Sequence, residues 1–405
     1  MAIRVLLMTQ WFDPEPTFKG LVFARELIAQ GFEVAVVTGF PNYPGGKVYP
    51  GYKIRILQKE LIEGVSLTRV PLYPSHDKSK LGRILNYLTF SISLVIYGIF
   101  SKRPDVIYSY HPPLTVGVAA AIVGFFRRVP VVNDIQDMWP DTLSSTGMVS
   151  SNRILSMVGV VCDWVYRRAA KIVVLSPGFK TLLVERGVPG EKIDVIYNWC
   201  AEDAINQVLG ATRAVPKRCD QFRILFAGNM GHAQALDVVL AAAKTIEIVA
   251  PQVEFVFLGG GLEVDNLKQL AVTLGLKNVK FLPPVPMSEV GAYLSSADAL
   301  LVHLKKDDLF RITIPSKTQA YMAAGRPLLM AVDGDAADLV ARSGSGVVAK
   351  SGDANSISEA VIKLCSATED ELELMSLNGV NYYKDNLSLR RGVEKFGLIF
   401  RSLSK

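Results

Sequence analysis

The chain has 405 residues, half of them hydrophobic and a fifth charged. That is too long for a single core and too apolar for a disordered protein, so two globular domains are predicted. The formal net charge of +6 is unevenly shared: residues 1–198 hold 22 Lys and Arg against 15 Asp and Glu, and residues 199–405 hold 22 against 23. The first half, at +7, suits an anionic surface or substrate. Its basic residues form no run interleaved with aromatics and no nucleic-acid motif occurs, which argues against nucleic acid as a partner. Four scattered cysteines, Cys162, Cys200, Cys219 and Cys365, include no CxxC pair. Cysteine and histidine show no metal-ligand spacing, so no metal is predicted and a reducing cytoplasmic compartment is the natural reading. The chain enters a strand at once with Ile3 to Met8, so no signal peptide is expected.

In chain order, β-rich runs near 3–9, 33–38, 105–110, 130–136, 171–176 and 193–197 alternate with helical stretches near 18–30, 81–100, 114–127, 151–169 and 177–187. Strands that are apolar at nearly every position belong to a parallel sheet covered on both faces. The pattern restarts after an irregular segment, 199–221. Strands near 222–228, 253–259, 279–283, 299–304, 327–332 and 346–349 then alternate with helices near 234–249, 262–274, 288–295, 316–324, 335–342 and 353–366. The expectation is an α/β protein of two doubly wound, Rossmann-like domains, 1–198 and 222–387, joined by the linker 199–221 and closed by a helix over 388–405. Ligands of such a fold sit in a crevice at the carboxyl ends of the strands.

Segment 84–100 is apolar, slightly short for a bilayer span, and flanked on both sides by basic residues: Lys78, Lys80 and Arg83 before it, Lys102 and Arg103 after it. Gly82, Asn86, Thr89, Ser93 and Tyr97 give it a weak polar stripe at helical spacing. It is either a crossover helix buried on its own sheet or a helix lying in the membrane interface.

Several strand ends carry candidate chemistry. After the first strand comes the loop Gln10 to Gly20, either a plain surface loop or one in which Gly20 lets a phosphate approach the backbone. Tyr108-Ser-Tyr-His111-Pro-Pro closes the third major strand, which directs His111 into the crevice. The next strand ends near Asp137, placed to orient a sugar hydroxyl or to cap the turn. In the second half, Ala227-Gly228-Asn229-Met230-Gly231 and Leu258-Gly259-Gly260-Gly261 are glycine turns that end strands. Pro315-Ser316-Lys317 then opens a helix, with Pro315 suited to the first turn and Lys317 beside free amides and the positive end of the dipole. Two glycine turns and a lysine at one sheet edge together point to phosphate binding. Asp333-Gly334-Asp335 has the look of a metal-binding DxD, but Asp335 is better read as a helix N-cap.

Together these residues resemble the GT-B glycosyltransferases, specifically the retaining family 4, over nearly the whole chain. The telling segments are Phe12-Asp-Pro-Glu-Pro16, Thr38 to Gly46, Tyr110-His-Pro-Pro-Leu114, Asp137-Met-Trp-Pro140, Ala227 to Gly231, Pro315-Ser-Lys317 with Tyr321 to Pro327, and Asp335 to Val340. The likeness is closest to the N-acetyl-L-fucosamine transferases of bacterial O-antigen and capsule loci. It implies a cleft between the domains and a nucleotide-sugar, a UDP-sugar, on the second domain. The diphosphate would lie over Gly228, Asn229, Gly231, Ser316 and Lys317, with Gly20, Gly259, Gly260 and Pro315 also contacting the donor and Phe18 and Lys19 facing the acceptor. Phe281 and Leu282 would meet the base, and Asp338 the ribose. His111 would contact sugar, and the acceptor would be a saccharide on polyprenyl diphosphate at the inner leaflet, reached through the basic first domain and region 78–103. His111, Asp137 and Lys317 are the expected catalytic residues, with no cofactor beyond the donor substrate. Where the family has paired glutamates this chain has Ile312 and Ala320, so Gln319, Asp308 or Asp338 would have to compensate. His232 or Gln234, with Asn229, replaces the usual basic pair of the first turn. A nucleotide-sugar epimerase of the same architecture is the alternative.

Overall fold

Runs of Val, Ile, Leu and Phe form the strands of two separate parallel sheets, because only strands covered on both faces tolerate an apolar residue at every position. The structure is a computed structural model that describes residues 2–75, 80–145, 148–202, 205 and 221–404. It divides into two compact units: Met1–Tyr197 with Arg390–Lys405, and Asn198–Leu389. Most of the predicted linker, 203–204 and 206–220, lies outside the described residues.

The first unit holds β1 (Arg4–Met8), β2 (Glu33–Gly39), β3 (Gln58–Ile62), β4 (Val65–Val70), β5 (Val106–His111), β6 (Val131–Ile135), β7 (Lys171–Val174) and β8 (Ile193–Val195). Their order is β3-β4-β2-β1-β5-β6-β7-β8, parallel except for β3, which runs against β4. The sequence reading missed this β3–β4 hairpin. Its two-residue turn, Glu63-Gly64, has both φ angles positive (48° and 84°), the geometry that keeps a tight hairpin's twist. Helices α1 (Leu21–Ala29), α2 (Lys80–Phe100), α3 (Leu114–Arg127), α4 (Asp141–Ser145), α5 (Asn152–Arg168) and α6 (Pro177–Glu185) make the connections. Ser176 starts α6 by accepting the Phe179 amide, with Pro177 in the first turn. Between β1 and β5 the strand order reverses direction, so the loops after these two strands diverge and leave a crevice.

The second unit is a six-stranded sheet in which every recorded pairing is parallel: β9 (Phe222–Ala227), β10 (Val253–Leu258), β11 (Val279–Leu282), β12 (Ala299–His303), β13 (Leu328–Ala331) and β14 (Gly346–Val348), ordered β11-β10-β9-β12-β13-β14. Here the switch falls between β9 and β12. Its helices are α7 (Leu236–Val249), α8 (Val264–Leu274), α9 (Met287–Ser295), α10 (Asp308–Arg311), α11 (Ser316–Ala323), α12 (Asp335–Ser343), α13 (Ala354–Cys365) and α14 (Glu369–Tyr382). The core on one face of this sheet gathers Phe226, Phe255, Phe257, Val239 and Ile246 with Ile357 and Val361 of α13. The last helix, α15 (Leu389–Leu403), returns to the first unit, where Phe396 packs edge-on against Phe23 and Tyr108 at 5.2 and 5.6 Å. Asp335 does not cap α12 as expected. The cap is Gly334 at φ +75°, where a Cβ would stand 2.0 Å from the Arg311 carbonyl oxygen.

Candidate active site

In the second unit, the chain turns sharply where β9 and β10 end. Gly228 and Gly259 adopt φ of +133° and +138°, and the two turns lie backbone on backbone. The Gly228 amide donates to Leu258 at 2.8 Å and the Met230 amide to Gly260 at 2.7 Å. Only glycine fits this approach, because a Cβ on Gly259 would stand 2.2 Å from the Gly228 carbonyl oxygen. Across the switch point, α11 begins at Ser316 with Pro315 preceding it. The Lys317 side chain passes over Gly228, where a Cβ would lie 3.0 Å from its Nζ, and the ammonium sits 4.4 Å from the Phe226 ring centroid.

That environment is unusual for a lysine. Burial alone pushes its pKa down to about 8, and among the described residues no carboxylate pairs with it. A cation stripped of water and left with an aromatic face and a helix N-terminus is a receptor for an anion. Tyr321, one turn further along α11, fixes the assembly. Its hydroxyl accepts the Ala227 amide at 2.9 Å and lies 3.2 Å from the Ala227 carbonyl, tying α11 to the strand end before Gly228.

Neighbouring polar residues are spent on structure. Gln234 accepts the Gly231 amide at 3.0 Å and holds Asn229 at 3.5 Å, and exposed His232 lies 2.9 Å from Glu263. With its amide nitrogen turned toward Pro315 and Ser316, Gln319 donates to their carbonyls at 2.9 and 3.1 Å, so it does not stand in for a sugar-facing carboxylate. Asp308 and Asp338 are exposed. Phe281 stacks on Phe257 at 5.3 Å at the end of β11, with Leu282 following, both half-buried.

The first unit brings His111 and Asp137 to one sheet edge, at the ends of β5 and beyond β6; the Gln136 amide donates to the His111 carbonyl at 2.8 Å. His111 is fully buried, edge-on to Trp139 at 5.7 Å, rather than facing an open crevice. Burial lowers its pKa to about 4, so the ring is neutral, and among the described residues neither nitrogen has a hydrogen-bond partner. Burial also raises the Asp137 carboxyl.

Two expectations for the opening loop fail. The amide of Leu21, at the start of α1, is taken by the Asp13 carboxylate at 2.6 Å, and a Cβ on Gly20 would meet that same carboxylate at 2.2 Å. An acidic group already occupies the place proposed for a phosphate, so Gly20 is not a phosphate contact. Lys19 does not face an acceptor: it is 2% exposed, lies over the rings of Phe23 and Phe396, and feels the charge of buried Asp134. Phe18, at 45% exposure, is the member of the pair that meets solvent.

Comparison with known proteins agrees with this architecture. A glycosyl transferase 4-like domain matches residues 21–199, and the glycosyl transferases group 1 domain matches residues 212–377. WbjE of Pseudomonas aeruginosa, designated a glycosyltransferase, is 23% identical over 82% of this chain and 83% of the relative. WcaI of Escherichia coli K12, designated a colanic acid biosynthesis glycosyl transferase, is 26% identical over 80% of this chain and 82% of its own length. Among solved structures, Anabaena HepE in complex with UDP superposes with a TM-score of 0.69 at 16% identity, over 99% of this chain and 100% of that one. HepE has also been solved with UDP-glucose. Both family matches are to transferases, and the epimerase alternative finds no support in them.

Proposed function

The chain belongs to the glycosyltransferases of the GT-B fold, and from that premise we propose that it moves an amino- or deoxyhexose from a UDP-sugar to a polyprenyl-diphosphate-linked saccharide during assembly of a bacterial surface polysaccharide, with retention of configuration. The observation that carries the donor half is Lys317, a buried ammonium with no carboxylate partner among the described residues, held over Gly228 at the switch point of the second unit. A UDP diphosphate supplies the missing counter-charge. The UDP and UDP-glucose complexes of HepE and the colanic acid designation of WcaI support the substrate class.

In this reading the diphosphate lies along Gly228, Asn229, Gly231 and the first turn of α11, with the base near Phe281 and Leu282 and the ribose near Asp338. Ile312 and Ala320 stand where the resemblance calls for glutamates, so no carboxylate pair is assigned to double displacement. The donor's own phosphate takes the acceptor hydroxyl's proton on the face it leaves, while Lys317 and backbone amides stabilise the departing charge. His111, neutral and with both ring nitrogens unpartnered among the described residues, would have to be uncovered to hydrogen-bond a sugar hydroxyl, because it is fully buried without ligand.

The acceptor half rests on the first unit's surface. The inner face of α2 is buried through Phe90 and Leu94, whereas Leu81, Ile84, Leu88, Ile92, Ile96 and Phe100 are exposed along its other side. Helix α3 packs against both α2 and α5, and it adds exposed Phe125 and Phe126 while α5 adds Ile154, Met157 and Val160. Arg168 lies over Phe125 at 5.0 Å, and Arg103 reaches the Arg128 carbonyl at 3.0 Å. An apolar face with arginines among its helices suits a helix group lying in the headgroup region at the cytoplasmic face, not one crossing the bilayer. Replacing Ile92 and Ile96 together with glutamate is expected to cut binding to phosphatidylglycerol-containing vesicles by at least about tenfold. Thermal melting should move little, because both side chains are already exposed; vesicle sedimentation checks the first and calorimetry the second.

The direct test is incubation with a panel of UDP-sugars, with and without bacterial lipid extract, following UDP release. Release that needs the lipid supports the transferase and identifies the donor. A donor turned into its isomer without lipid overturns it.

A further inference from the structure

The loops after β1 and β2 and the first turns of α2 meet at one edge of the first unit, and what they bring together is unlike the rest of the surface. Trp11 and Tyr43, both half-buried, stand with ring centroids 5.0 Å apart and planes tilted by 38°. Tyr49 donates its hydroxyl to the Tyr43 carbonyl at 2.6 Å, which fixes that loop. The residues next to these rings in the chain, Gln10 and Asn42, belong to a buried chain of amides: Gln10 donates to Asn86, and Asn86 donates to Asn42 at 3.2 Å and to the Tyr73 carbonyl at 2.7 Å. Glu15 fastens the second loop by accepting the amides of Asn42 and Tyr43, both at 2.7 Å.

Two acceptors in this cluster are left over. Gln10 Oε1 and Glu15 Oε2 are buried, on residues 1% and 2% exposed, and among the described residues neither has a hydrogen-bond partner. A buried polar atom without a partner costs about 1–3 kcal/mol, so it marks a place where a group is missing. Aromatic faces beside amides and a carboxylate are what a pyranose needs: its C–H faces pack on rings and its hydroxyls satisfy acceptors. The site also adjoins the start of α2, whose outward residues Ile84 and Leu88 begin the apolar face described above. A sugar held here would have lipid-facing surface directly beside it.

We propose that the Trp11–Tyr43 shelf, with Gln10 and Glu15 beside it, binds the acceptor's terminal sugar ring. This rests on the transferase reading and gives it an acceptor subsite, distinct from the Phe18 and Lys19 contacts expected from the sequence.

The test is steady-state transfer with the UDP-sugar panel and bacterial lipid extract, comparing the wild-type chain with Trp11→Ala and Tyr43→Ala. The expected result is an acceptor KM raised about tenfold or more, the loss of one ring stacking contact, with the donor KM unchanged. Unchanged acceptor KM in an active enzyme overturns the subsite while leaving the transferase intact. A wild-type chain that binds UDP yet transfers nothing to the extract overturns the acceptor reading itself. Should either variant fail to fold, the wild-type chain labelled with 5-fluorotryptophan gives a second reading. The Trp11 fluorine resonance, assigned with Trp11→Phe, should move when delipidated saccharides from the extract are added and stay in place with UDP alone. A resonance that ignores saccharides the enzyme uses as acceptors overturns the proposal.

Discussion

Replacing Lys317 with alanine is expected to weaken UDP binding by roughly 10- to 100-fold, the worth of one charge-assisted hydrogen bond in a dry site. Catalysis should fall further, by about 100- to 1,000-fold, because the leaving diphosphate gains charge that the substrate lacks. Isothermal titration and steady-state kinetics separate the two. Arginine is not expected to rescue either, since the Lys317 stem lies in space left by the missing Gly228 side chain, with Phe226 on the other side. The pH dependence has a definite sign. Burial lowers the ammonium to about 8, so UDP affinity should be full below that value and decline as pH climbs through it. Bound phosphate favours the ammonium, so binding near pH 8 should take up a proton. Stability of the ligand-free protein should move the opposite way. Between about 8 and the ordinary lysine value the unfolded chain binds more protons than the folded one, and stability rises with pH. Lys19, also held at about 8 by burial, contributes in the same direction. The Lys317→Met variant should therefore lose the affinity change with pH but only part of the stability change.

How much of this was readable in advance varied with the range of the interaction. Strands such as β9, β10 and β12 are apolar at almost every position, and that composition identifies a covered parallel sheet without reference to the partners. Gln58-Lys-Glu-Leu-Ile62 reads as polar because β3 is an edge strand with alternate residues exposed, and Glu63-Gly64 was the one usable hairpin signal. Thr368 and Glu371 form a capping box that announces α14, a local pattern that was present and passed over. At the site, glycine turns and Pro315-Ser316-Lys317 are short-range features, and their grouping at one sheet edge follows from topology. The failures at Lys19 and Gly20 came from distance. Asp134 lies on β6, more than a hundred residues from Lys19, and nothing local reveals that the Asp13 side chain turns back onto the Leu21 amide. The tie between Tyr321 and Ala227 spans 94 residues and is equally invisible from the sequence. Interactions that define a polar site are sparse and non-local, whereas apolar patterning is dense and repeats along each element.

Gly259→Ala should be among the most damaging single substitutions in the second unit, and its neighbour provides the control. At Gly259 a Cβ would stand 2.2 Å from the Gly228 carbonyl oxygen and 2.9 Å from its carbon, on a backbone with φ of +138°. The obstacle is main chain, pinned on one side by the Gly228 amide bonding to Leu258 and on the other by the Gly259 amide bonding to Leu282. Relief therefore requires the end of β10 to move against β9, and that motion carries Gly228 away from Lys317. The expected cost is about 3 kcal/mol or more from the strained φ and the overlap together, which for a unit of this size lowers Tm by roughly 6–12 °C. UDP binding should be lost along with it. At Gly260 the same methyl group would meet only the Pro284 ring, at 3.8 Å. Gly260→Ala should consequently leave Tm within about 2 °C, so any fall in UDP affinity at that position would report a lost donor contact and not a disturbed fold. Calorimetry and UDP titration of the pair decide the matter: equal behaviour would mean that the contact between the two glycine turns does not position the diphosphate site, and Lys317 would have to be held by α11 alone.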